Sequence, residues 1–163
     1  MKAAPAREVH YSWPRFKRDV LALAQRVRAE SGGFDVIVAI TRGGLIPSYF
    51  FAKVLGVETI LILGLEHYTC VDTALPELRL HQPLPEDRRL SLEAKRVLIV
   101  DEVVETGKTA KRAVEEVLRH TDQVALAAVS YKPARLEVIL PNVPFYYARQ
   151  ASAWIVYPWE TGL

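Results

Sequence analysis

The sequence predicts an α/β domain built on a parallel sheet, with helices covering its faces. Short apolar runs rich in β-branched residues recur at Phe34–Ile40, Val57–Leu63, Val97–Val100 and Gln123–Ser130. Such runs are typical of strands buried on both faces, as in sheets whose strands are joined by crossover helices. Stretches with helical periodicity separate several of them, and glycine-bearing turns follow the first and third. A chain of 163 residues, half of them hydrophobic, fits one domain (1–163) that buries roughly 70% of its unfolded surface.

The first helix is expected to begin at Ser12, a good N-cap, with Pro14 in its first turn. Phe16, Val20, Leu23, Ala24 and Val27 then recur at helical spacing up to a Gly32-Gly33 stop. Phe34–Ile40 reads as a buried strand ending in Thr41-Arg42-Gly43-Gly44. A second helix should start near Leu45, with Pro47 in its first turn and Gly56 beyond its end. Val57–Leu63 would complete a right-handed β-α-β unit. Between Glu66 and Ala94 the signal weakens into prolines, charges and short alternating pieces such as Glu77-Leu78-Arg79-Leu80, which read as a β-ribbon. So long a stretch between core strands is usually a functional lid or disordered.

Val97–Val100 is the next strand, with Asp101 and Glu102 at its carboxyl end. From Thr109 a helical stripe follows: Ala110, Ala113, Val114, Val117 and Leu118. Thr106-Gly107-Lys108-Thr109 is then a strand-to-helix turn. Its backbone N–H groups and helix dipole favour an anion, a phosphate above all. An acid pair before it suits two neighbouring hydroxyls, as in a ribose, or a Mg²⁺ held through oxygen. Gly107-Lys108-Thr109 also matches the end of a P-loop, but that motif's first glycine falls on Glu102, whose carboxylate would face the phosphates. The paired glycines after Arg42 read either as a simple chain reversal or as a second anion turn, where a guanidinium suits a diphosphate.

Gln123–Ser130 leads into Tyr131-Lys132-Pro133, and the remaining chain is too dense in aromatics and prolines for a long helix. Phe145, Tyr146 and Tyr147 read as core or dimer contact. Net charge is +2, from 21 basic and 19 acidic residues, with no dense basic stripe for nucleic acid. Cys70 is the only cysteine, which excludes an intramolecular disulfide and a Cys-based zinc site. The amino terminus lacks the apolar core of a signal peptide, and no segment approaches the ~20 apolar residues of a membrane span. A cytoplasmic protein with no membrane or nucleic-acid partner is expected.

The stretch VLIVDEVVETGKT, at Val97–Thr109, resembles the phosphoribosyl-pyrophosphate (PRPP) motif of type I phosphoribosyltransferases: an apolar strand, two acids, two apolar residues, an acid, then T-G-x-T. ITRGGLIP is similar to the pyrophosphate loop of that family's purine members, where a non-proline cis peptide is common. WIVYPWE, at Trp154–Glu160, resembles a segment of bacterial xanthine-guanine phosphoribosyltransferases. The resemblance spans Tyr11 to Glu160, and it departs from many relatives in having Glu for Asp at positions 102 and 105.

The resemblance implies the phosphoribosyltransferase fold, with a mobile lid at about 66–94 and a small aromatic-rich hood at about 131–163. It also implies transfer of 5-phosphoribosyl from PRPP to guanine, xanthine or hypoxanthine, with Mg²⁺ as cofactor and a homo-oligomeric state, dimer or tetramer. By position, PRPP falls to Arg42, Gly43, Asp101, Glu102, Thr106, Gly107, Lys108 and Thr109, and the metal to Asp101 and Glu102. Glu105 is implied as the catalytic residue managing a purine proton. Lys132 would bond the 6-oxo group, while Trp154 and Ile155 would sandwich the ring. His67 and Tyr68, near the start of the lid, would contact either ligand or protein surface. A non-catalytic PRPP or nucleotide sensor on the same fold is the alternative, although such a DNA-binding regulator would carry an extra basic or helix-turn-helix segment.

Overall fold

The computed structural model describes residues 8–68, 77–87 and 91–161. Its centre is a six-stranded sheet in the order β4-β3-β2-β5-β6-β7. The strands are β2 (Val36–Thr41), β3 (Thr59–Tyr68), β4 (Glu77–Gln82), β5 (Val97–Val104), β6 (Val124–Tyr131) and β7 (Phe145–Gln150). All neighbours pair in parallel except β3 and β4. A second, two-stranded parallel sheet joins β1 (Glu8–His10) to β8 (Trp154–Val156).

The period-two alternation of the strands divides the core into two layers. Val36, Val38, Ile40, Val97 and Ile99 face one way, toward Ala110, Ala113, Val114 and Val117 of α3 (Lys108–Leu118). Ile37, Leu98 and Val100 face the other way, toward α1 (Trp13–Ser31) and α2 (Leu45–Leu55). The helix boundaries follow the local chemistry. Ser12 Oγ accepts the Arg15 N–H at 3.3 Å, and Gly32 and Gly56 end α1 and α2 in the left-handed region. Phe16, fully buried, is the keystone of the α1 layer; burial of such a side chain is worth ~1.5–3 kcal/mol.

Two strands differ from expectation in extent. β3 runs on past β2 because its far end is paired by the antiparallel ribbon partner β4, across an irregularity at Gly64/Leu65. The expected ribbon at Glu77–Leu80 is this edge strand, while residues 69–76 and 88–90 of the expected lid lie outside the described residues. β5 is twice its expected length: its pairing with β2 ends at Val100, but its pairing with β6 continues to Val104. Asp101 and Glu102 are therefore inside the strand, bonded on one flank only. The aromatic carboxyl-terminal stretch contributes β7 at the sheet edge and β8 in the small sheet. Among the described residues no helix is long and apolar enough to cross a membrane.

The sheet order places the functional crevice. β2 leads through α2 to β3 on one side, and β5 leads through α3 to β6 on the other. Ligands of open α/β sheets bind where the winding reverses, at the carboxyl ends of the strands. Here that point lies between β2 and β5, flanked by the turns at 41–44 and 105–107.

Candidate active site

Asp101, Thr106, Gly107 and Thr109 line one cleft of about 250 Å³ between the end of β5 and the first turn of α3, together with Glu105. Gly107 has φ +82° and sits at the helix N-cap, and a Cβ there would meet Leu136 at 2.9 Å. Glycine is thus required by the backbone conformation, and the Leu136 methyl would have to give way to any larger residue. No acidic residue occupies the first turn of α3, so its dipole is free to favour an anion.

Lys108 opens α3, and its side chain is taken up outside the cleft. Its ammonium forms an ion pair with Glu137, and its side chain does not line the cleft. The loop after β6 crosses the turn at that point, with the Glu137 N–H donating to the Thr106 carbonyl at 2.9 Å. What Lys108 offers the cleft is its position at the start of the helix rather than its charge.

The acid pair is split by strand alternation. Asp101 lines the cleft, whereas Glu102 turns to the loop after β2. A Cβ on Gly43 would lie 2.3 Å from Glu102 Cδ, and one on Gly44 would lie 2.3 Å from the Val100 carbonyl oxygen. The paired glycines therefore let the Arg42 loop lie directly on β5, which goes beyond simple chain reversal. Thr41-Arg42 is a cis peptide. The Gly44 and Leu45 N–H groups are used within the turn, bonding Ile40 and Arg42 carbonyls. Arg42 itself is exposed and makes no side-chain ion pair or hydrogen bond among the described residues.

Among the described residues, neither member of the acid pair has a cation beside it. Burial pushes the Asp101 carboxyl up to about 7, opposed by a hydrogen bond from the Glu102 N–H at 2.8 Å. Burial also raises Glu102, to about 8, with Asp101 and Glu160 adding like charge and a Trp159 hydrogen bond pulling the other way. Glu102 Oε2 is buried without a hydrogen-bond partner, a costly state for a carboxylate. Sequence reasoning assigned no role to the residues that hold Glu102. Tyr157 OH donates to the Glu102 carbonyl at 2.8 Å and lies 3.0 Å from Ser130 Oγ. Trp159 stacks on Tyr157 at 4.7 Å, and Glu160 accepts the Tyr157 N–H at 2.7 Å. The signal available for them was the PWE run itself.

Glu105 has the opposite surroundings. Lys132 Nζ lies 3.2 Å from its Oε2, and Arg135 Nε lies 3.2 Å from its Oε1. Lys132 is buried at the end of β6, its N–H donating to the Val104 carbonyl at 2.9 Å, and its ammonium sits 5.4 Å from the Trp154 ring centroid. Trp154, about half exposed, offers a free aromatic face. Glu105, Lys132 and Trp154, which are distant in sequence, thus stand together. Ile155 does not join them. Successive residues of a strand face opposite ways, and its side chain is buried in the α1 layer with Tyr11 and Tyr157. Arg135 is the residue that the sequence reading missed here; its signal was its place three positions after Lys132, across a proline turn.

Chemically, this region joins a strand-to-helix turn suited to an anion, the Asp101 carboxyl in the cleft with Glu102 on the other side of β5, and a carboxylate-ammonium pair beside an aromatic ring. Among the described residues no three His, Cys, Asp or Glu side chains cluster as a metal cage. Asp101, the member of the pair that lines the cleft, fits Mg²⁺, which commonly takes one or two carboxylates and completes its shell with substrate phosphates and water, whereas the orphaned Glu102 oxygen faces the Gly43 loop.

Comparison with known proteins agrees with this architecture. A family model for the phosphoribosyl transferase domain matches residues 9–163. A purine phosphoribosyltransferase from Pyrococcus horikoshii Ot3 is 30% identical with a TM-score of 0.78, over 96% of this chain and 95% of that one. A hypothetical protein from Neisseria gonorrhoeae, solved with bound ppGpp, is 26% identical with a TM-score of 0.86, over 98% and 92%. The Helicobacter pylori xanthine-guanine-hypoxanthine phosphoribosyltransferase shares the fold at 22% identity and a TM-score of 0.72, over 95% of each chain. A phosphate turn and an acid-bearing strand at the switch point of a parallel sheet, matched along nearly the whole chain, place this protein in the phosphoribosyltransferase family, a family of transferases, and in its purine branch.

Proposed function

We propose that the protein transfers the 5-phosphoribosyl group of PRPP to a 6-oxopurine, giving the nucleoside monophosphate and pyrophosphate. The observation that carries this reading is the contact of Glu105, which lines the cleft, with Lys132, whose ammonium lies over the Trp154 ring. A carboxylate and an ammonium 3.2 Å apart offer an acceptor for a purine N–H and a donor for a 6-oxo group. Adenine, with an amino group at that position, lacks the matching acceptor.

In the reaction a purine nitrogen forms a bond to the anomeric carbon as the bond to the pyrophosphate oxygen breaks, and positive charge builds on the ribose ring. Thr106, Gly107 and Thr109 hold the 5′-phosphate, so binding energy remote from the reacting centre fixes its position. Asp101 orients the ribose hydroxyls and sets negative charge near the developing cation. Arg42 stands on the opposite turn to meet the departing pyrophosphate. Asp101 would hold Mg²⁺, which when bound supplies charge neutralisation worth several kcal/mol, and Glu102, expected to share it, is turned instead to the Gly43 loop. Glu105 accepts the base proton, a role typically worth ~10²–10⁴-fold. Trp154 stacks on the base from one side.

The gonococcal protein with bound ppGpp favours a second reading, a nucleotide-binding regulator on the same fold. One assay separates the two. Protein, PRPP and Mg²⁺ are incubated in turn with guanine, hypoxanthine, xanthine, adenine and orotate, and nucleotide formation is followed. Product with the oxopurines is expected. Product with adenine or orotate alone sinks the proposal, and PRPP binding without product from any base favours the regulator. We further propose a cytoplasmic homo-oligomer assembled through α2, where Leu45 and Tyr49 are exposed one turn apart; a monomeric mass by light scattering refutes the assembly.

A further inference from the structure

Glu105 is one carboxylate between two cations. Arg135 reaches it through Nε, and its guanidinium is largely exposed, so its terminal NH₂ groups are open to a ligand. The turn that carries Arg135 is rigidly set. Pro133 opens it, the Arg135 N–H donates to the Lys132 carbonyl at 3.0 Å, and the Leu136 N–H donates to the Pro133 carbonyl at 3.3 Å. The other cation at this end, Lys108, is neutralised by Glu137. Lys132 and Arg135 together therefore leave one positive charge uncompensated beside the open face of Trp154.

From this balance we infer that Arg135 is a specificity-determining residue of the base site, selecting an oxopurine anion and so xanthine over hypoxanthine or guanine. The inference rests on the purine reading above. Hypoxanthine and guanine are neutral near physiological pH. Xanthine has oxo groups at both C2 and C6 and the most acidic ring N–H of the three, and a substantial fraction is anionic there. A guanidinium with exposed donors offers such an anion both a countercharge and a planar fork of N–H groups. Because Arg135 is largely exposed, solvent screening limits its effect.

The test compares kcat/KM for xanthine, hypoxanthine and guanine in the wild type, Arg135→Gln and Arg135→Lys, at a mildly alkaline pH. The wild type should prefer xanthine. Arg135→Gln should lower xanthine roughly three- to tenfold more than hypoxanthine, and Arg135→Lys should recover part of that ratio. A loss shared equally by the three bases, or an unchanged xanthine-to-hypoxanthine ratio, overturns the inference. Calorimetric binding of XMP and IMP to the same proteins separates this from the catalytic proposal. Preference for XMP that is lost in Arg135→Gln, in a protein that turns over no base, would refute catalysis and sustain the role of Arg135. Equal binding of XMP and IMP by the wild type would refute the role of Arg135, whatever the turnover.

Discussion

Asp101 and Glu102 lie inside β5 with no cation beside them among the described residues, while Glu105, three positions on, touches two. The first pair is raised to about 7 and about 8 by burial; the third carboxylate is already in an ionic network. The difference separates two ways of building a site. A compensated carboxylate is preformed, held in its working geometry before any ligand arrives. An uncompensated pair in low dielectric is costly in the free protein, and a ligand that brings positive charge relieves that cost.

The comparison is broken most severely by removing the compensated acid. Glu105→Ala should lower turnover by ~10²–10⁴-fold while PRPP binding, measured by calorimetry, persists. Unchanged turnover would remove Glu105 from the chemistry.

The uncompensated pair predicts a pH dependence of stability. A carboxyl whose pKa is raised on folding keeps its proton in the native state over a range where the unfolded chain has lost it. Its contribution is fully present below the ordinary carboxylate range and is lost as pH rises through about 7 for Asp101 and about 8 for Glu102. Denaturant unfolding of the ligand-free protein should therefore show less stability at alkaline than at acidic pH across that window, by on the order of a few kcal/mol from this pair. Glu102→Gln should flatten the slope, and a slope that survives Asp101→Asn combined with Glu102→Gln would assign it elsewhere.

A smaller effect is expected at the loop that lies on Glu102. Gly43→Ala drives a Cβ into the carboxylate and should cost ~1–3 kcal/mol, as overpacking does. PRPP affinity should fall more than base affinity, and a variant that folds and binds PRPP normally would show that Glu102 moves aside freely. The smallest effect belongs to Lys108. Its pair with Glu137 is roughly half exposed, so Lys108→Ala should change stability by less than about 1 kcal/mol, with a correspondingly small change in KM for PRPP. A large loss of turnover would return its ammonium to the cleft.

Much of this was legible from local chemistry. The α1 cap at Ser12, the glycine stops at Gly32 and Gly56, and the turn at Thr106–Thr109 depend on neighbours along the chain. Strand lengths were not, because β3 and β5 extend only as far as their partners β4 and β6 carry them. Lys108 and Ile155 show the same limit for side chains. Motif position put one in the phosphate turn, without saying where its ammonium goes, and the other against the purine; a loop from beyond β6 takes up the ammonium of the first, and strand alternation turns the second into the core.

What the sequence determined by itself was the class of fold, the two turns with their glycines, and the supply of acids along β5, since these follow from backbone sterics and short-range pattern. The tertiary structure alone decided how those acids differ. Whether a carboxylate is left without a cation like Glu102 or gripped by two like Glu105 depends on which residues of the loop after β2, the end of β6 and the carboxyl-terminal segment arrive beside it, and on how far water is excluded there. Electrostatic environment is a property of neighbours in space, and the chain order does not contain it.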